Sequence, residues 1–137
     1  MKLIFCISKN NGLFFIDKRQ SSDKIITDLI VEDCIKNNSK LYVSKYSSEL
    51  FKGYAGLDVS IIDEDSKIED KDTVFLEDLN VINYINDADK VTIINWNREY
   101  PATKHFDKTL LTNFYLLGEY TVKGNSHDKI IIQNYQK

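Results

Sequence analysis

Arginine is scarce in this 137-residue chain: among 18 basic residues only Arg19 and Arg98 carry a guanidinium. That leaves few forks for bidentate grip of a phosphate or a carboxylate. Cysteine is equally scarce, with only Cys6 and Cys34. Two reduced, mostly buried thiols of a cytoplasmic protein are expected, the alternatives being one disulfide or a reactive thiol. His105 and His127 are the only histidines, and neither has a Cys or carboxylate cluster at ligand spacing, so no metal site is expected. No sign of charge dominates: 18 basic against 21 acidic residues give a net charge of −3. Such a balance implies no general affinity for polyanions, which excludes nucleic acid as a default partner. Nor is there a long hydrophobic run. The opening MKLIFCIS meets charge again at Lys9, too soon for a signal peptide or a membrane span.

What is present suits one globular domain spanning 1–137, with 42% hydrophobic and 28% charged residues. Lys2–Ile7 is a nearly continuous apolar run, the mark of a strand buried on both faces. Turn residues 8–12 interrupt it before a second short apolar run, Leu13–Ile16. Ser21, Ser22 and Asp23 offer N-caps to a helix whose Ile25, Ile26, Leu29, Ile30 and Cys34 fall at helical spacing. Asn37 and Asn38 end it. Strands are expected over 41–43, 57–62, 73–76 and 90–96, with short helices over 47–51 and 78–86. The segment DEDSKIEDKD, 63–72, reads as a solvated loop. Two final strands, 114–122 and 128–135, make a hairpin around Lys123–His127.

Interleaved strands and helices imply an α/β fold with a mostly parallel sheet, and the closing hairpin makes that sheet mixed. Ligands of such sheets gather at the carboxyl ends of strands. Three places qualify: the loop after Ile7, the corner after Val43 and the corner after Leu76. The last of these is acidic, with Glu77 and Asp78 together. Acids suit the positive end of a helix by about 0.3–1 kcal/mol each, and Asp is a good N-cap. The same charges repel a pyrophosphate, so the usual dinucleotide mode is not expected at this corner.

The order of these elements and several local motifs resemble dihydrofolate reductase. LIFCISKNNGL, residues 3–13, is similar to that family's first strand and following turn. Leu41–Leu50, LYVSKYSSEL, is similar to its second strand with the phosphate-binding turn, and 88–94, ADKVTII, to a later strand. Thr103–Phe106 and the closing IIIQNYQK also fit. The resemblance implies a dihydrofolate-reductase-like sheet with flanking helices. It places Asp28, in Thr27-Asp28-Leu29, where the family carries its catalytic acid. It assigns Ser44, Lys45, Ser47 and Ser48 to the cofactor, NADPH, with dihydrofolate or a related pterin as substrate. The departures bear on function. Glu77 and Asp78 stand where the family has paired glycines, Leu57 where it grips the folate carboxylate with arginine, and Ile94 where a threonine meets the pterin. The alternative is a non-catalytic homologue that binds a protein or another small molecule.

Overall fold

The computed structural model of the chain describes residues 1–137. Seven strands form the main sheet: β1 Lys2–Ile7, β4 Leu41–Val43, β5 Val59–Ile61, β6 Thr73–Leu76, β7 Lys90–Asn95, β9 Tyr115–Val122 and β10 Ile130–Gln136. Their order is β5-β4-β6-β1-β7-β10-β9. Pairing is parallel from β5 to β7, and β10 is antiparallel to both β7 and β9. The expected mixed, mostly parallel sheet is therefore present, with its C-terminal hairpin at one edge.

β1 sits in the middle, which explains its continuous apolar character. Alternation along a strand sends successive side chains to opposite faces. Leu3, Phe5 and Ile7 join Val74, Leu76, Val91, Ile93 and Phe106 in one core. Ile4 points the other way, into a second core with Phe75, Ile94, Trp96 and the helix. That helix, α1 (Lys24–Lys36), is capped by Asp23, whose carboxylate accepts from the Ile25 N–H at 3.0 Å. Ile26, Ile30 and Cys34, one turn apart, form its buried stripe with Val31. Cys34 is buried and Cys6 half-buried, and both are free thiols.

α1 is the one α-helix, which corrects the expectation of several flanking helices. Ser47–Phe51 forms a five-residue 3₁₀ turn. The helix expected over 78–86 is replaced by two 3₁₀ turns, Val81–Asn83 and Ile85–Asp87. Asn80 caps the first of them, accepting from the Ile82 N–H, so neither acid at the corner serves as a cap. Asn80, Asn83, Asn86 and Asp87 favour local backbone bonding over helix, and β-branched Val81, Ile82 and Ile85 add crowding. The turns still bury Val81, Ile85 and Ala88, so the packing is kept while the helix is lost.

A small second sheet covers the carboxyl end of the main one. It orders β3 (Lys18–Arg19), β2 (Gly12–Phe15) and β8 (Lys104–His105). Ile16 and Asp17 turn β2 into β3 with φ of 47° and 58°. Such left-handed pairs match the twist of a two-residue hairpin, but Ile is a rare occupant. No helix is long and apolar enough to cross a membrane.

Candidate functional site

β4, β6 and β1 are neighbours, so the three corners singled out in the sequence meet at one end of the sheet. The arm carrying β2 and β3 runs from β1 to α1 across that end. Arg19, at its close, reaches the corner after β6: Nε donates to Glu77 Oε2 at 2.8 Å and Nη2 to Oε1 at 2.9 Å. The guanidinium also lies over the Tyr46 ring, 4.3 Å from its centroid, and the Arg19 N–H donates to the Tyr46 hydroxyl. One of the two arginines is thus spent inside the protein. Glu77 is buried, at 8% exposure, and its charge is matched. The ion pair fills this corner and balances one of its two carboxylates, while Asp78 is met only by the neutral Ser44 hydroxyl. Below it, burial pushes the Cys6 thiol well up, and the Glu77 charge adds to the effect.

Asp78 takes no part in capping; its Oδ1 accepts from Ser44 Oγ at 2.6 Å. Ser44 Oγ in turn accepts from the Ser47 N–H. Ser48 Oγ donates to the Lys45 carbonyl at 2.6 Å. Ser44 and Ser47 are buried and Ser48 half-buried, whereas Lys45 is exposed. The structure thus brings Ser44, Lys45, Ser47 and Ser48 together at the end of β4, with their three hydroxyls already engaged.

Asp28 lies on the outer side of α1, off the apolar stripe. Its Oδ1 accepts from Lys24 Nζ at 2.9 Å and from the Tyr54 hydroxyl at 2.7 Å. Those two bonds, Tyr54's the larger influence, hold its carboxyl below the usual range. Thr27, one residue earlier, is the buried neighbour. Lys24 and Tyr54 help line an open groove of about 540 Å³ between α1 and the 47–54 segment, together with Ser22, Thr27, Leu50 and Lys52.

A second constellation escapes sequence reading. His127, from the β9–β10 loop, is buried against Asp23, with Nδ1 to Oδ2 at 3.0 Å. Its Nε2 lies 3.0 Å from Ser21 Oγ and 3.1 Å from the Tyr100 hydroxyl. Trp96 stacks on the ring, with centroids 4.7 Å apart. Asp23 also accepts from the N–H groups of Asn125 and Ser126. Burial alone would raise the Asp23 carboxyl; the bonds from Asn125, Ser126, His127 and Ile25 overcome it and hold the group far below the usual range. Gly124 permits this approach, since a Cβ there would meet the Asp23 carboxylate. Asp23 announced itself in the sequence as a helix cap. Nothing local announced His127, which is 104 residues away.

No protein-family model and no curated protein sequence matches this chain. Solved structures do. Dihydrofolate reductase from Enterococcus faecalis, complexed with NADP(H) and RAB-propyl, shares the architecture with a TM-score of 0.70. The match covers 98% of this chain and 94% of that one, at 9% sequence identity. The chain therefore has a dihydrofolate-reductase-like fold, strongly diverged in sequence.

Proposed function

We propose that this chain uses the reductase scaffold as a small-molecule binding protein, without the dinucleotide-dependent reduction usual for the fold. Its ligand is a small aromatic anion of pterin or folate type, held in the groove between α1 and the 47–54 segment. The observation that carries this reading is the Arg19–Glu77 pair, bonded through both carboxylate oxygens at the corner after β6. It occupies the corner where the fold leaves backbone bare for a pyrophosphate. The groove beside it is open, and its size falls within the range of small-molecule sites. Tyr54 and Leu50 offer a surface for a flat ring; Lys24 and Lys52, paired with Asp28 and Glu49, are the cations an anionic tail would have to recruit.

A second reading is an NADPH-dependent reductase of dihydrofolate or a related pterin. The Asp28–Tyr54 contact at the groove favours it, because it sets a carboxylate beside the space a pterin would take. In that reading Asp28 supplies the proton-side chemistry, and Ser44, Lys45, Ser47 and Ser48 hold the cofactor.

Thermal unfolding with folate, an antifolate and NADPH, each added separately, tests both. A ligand at a hundred times its dissociation constant stabilises by about 2.7 kcal/mol. The binding reading expects a rise in midpoint with the folate compounds and none with NADPH. Oxidation of NADPH that depends on dihydrofolate and is lost in Asp28→Asn establishes the reductase instead. No rise with any of the three compounds overturns both.

A further inference from the structure

The geometry points to a hydrolytic site at Ser21, with His127 as its general base and Asp23 as the group that orients the base, acting on carboxylic esters. None of its three residues bonds to the Arg19–Glu77 pair, although Glu77 lines the same small cavity as Ser21.

The bonding has a direction. Asp23 is anionic and accepts five hydrogen bonds: from the N–H groups of Ile25, Asn125 and Ser126, from the Ser126 hydroxyl, and from His127 Nδ1. A carboxylate on Nδ1 fixes the proton there and leaves Nε2 as the acceptor. Nε2 faces Ser21 Oγ at 3.0 Å. The Tyr100 hydroxyl lies 3.1 Å from the same Nε2 and 3.5 Å from Ser21 Oγ, so it shares that acceptor with the serine. Serine to Nε2 and carboxylate to Nδ1 is the connectivity by which a weak hydroxyl becomes a nucleophile on unrelated folds.

Two features set this apart from a cluster that merely ties a loop to a helix. Capping α1 and binding the N–H groups of 125 and 126 fall to Asp23; the imidazole meets only the Ser126 hydroxyl there, 3.0 Å from Nδ1. Its reactive edge is turned to a half-buried serine, and the stacked Trp96 locks the ring. Ser21 also borders a small internal cavity with Cys6, Leu50, Phe75 and Trp96, of about 10 Å³, which is room for a single water. Ser22, Asp23, Thr27 and Leu50 line both this cavity and the open groove, so the two spaces share a wall. The Ser22 N–H, next along the chain from the nucleophile, donates to no protein acceptor. Acyl-transfer sites draw an oxyanion donor from that position. The cavity itself holds no more than a water, so an ester carbonyl meets Ser21 from its solvent-facing side, with the alcohol part toward the groove.

In the reaction Ser21 Oγ bonds to the ester carbonyl carbon while its proton passes to His127 Nε2. The carbon–oxygen bond to the alcohol breaks, and the alcohol leaves with that proton. Water then attacks the acyl-serine carbonyl, giving a proton to the same nitrogen. The bond to Oγ breaks, the carboxylic acid leaves, and Ser21 recovers its proton. No oxidant, metal or further reactant is consumed.

The test uses the whole chain with p-nitrophenyl acetate and, separately, a fluorophosphonate, with peptide mass mapping of the label. Expected are turnover above buffer, a phosphonyl adduct on Ser21, and at least about a hundredfold loss of turnover in Ser21→Ala. Labelling of the native protein needs no variant, so a misfolded mutant cannot decide the outcome. An unlabelled Ser21, a label on another residue, or equal turnover in Ser21→Ala overturns the proposal.

Discussion

The guanidinium of Arg19 and the carboxylate of Glu77 face each other fork to fork across the end of the sheet, 58 residues apart in sequence. Arg19 is half-buried and Glu77 buried. Breaking such a pair from the arginine side strands a charge in a poorly solvated place. Arg19→Ala should cost about 2–4 kcal/mol, measured as a lower urea midpoint. Replacing both partners, as Arg19→Met with Glu77→Leu, should recover most of that loss. A double variant as unstable as the single one contradicts this account.

Asp23 makes stability depend on acid. Its carboxyl is depressed in the folded chain but titrates near pH 4 when unfolded. The stabilisation is therefore complete above about pH 4 and is lost as pH falls below it, toward the depressed folded value. Urea midpoints between pH 6 and pH 2 should fall, and in Asp23→Asn they should fall less steeply. Parallel slopes would assign the acid sensitivity to other groups.

Asp28 and Tyr54 report on each other. The carboxylate, as hydrogen-bond acceptor, raises the Tyr54 phenol above its ordinary value. Alkaline titration of ring-labelled tyrosine by NMR should find Tyr54 displaced upward, and Asp28→Asn should return it toward normal. An unchanged titration in the variant would show that the contact does not persist in solution.

Gly124 is held to glycine by space. An added methyl group would press on the Asp23 carboxylate and come within 3.0 Å of Ile130 Cδ1. Gly124→Ala should destabilise by about 1–3 kcal/mol, as overpacking does. It should also alter Trp96 fluorescence, because the displaced carboxylate carries His127, on which Trp96 stacks. A stable variant with native fluorescence would count against the close approach.

The sheet was largely legible because its information is local. Continuous apolar runs such as Lys2–Ile7 and Lys90–Asn95 locate buried strands, and Asp23 with Ile26, Ile30 and Cys34 locates α1. Where a local signal has two outlets, reading it in isolation misled. Asp78 looked like a cap, but Ser44, 34 residues earlier in sequence, claims its oxygen. The arm's hairpin stayed hidden because Ile16 carries the left-handed turn without a glycine or asparagine to mark it. His127 was invisible as a site residue because each of its partners but Ser126 is brought to it by the fold.

The placement of β1 has a consequence for how the chain comes into being. It lies between β6 and β7, strands that follow it in the chain at 73–76 and 90–95. A growing chain therefore presents LIFCI without a strand partner until β6 has been made. The sheet closes around β1 only once β7, ending at Asn95, is available. Such delayed, long-range pairing folds slowly and exposes an aggregation-prone strand to its surroundings.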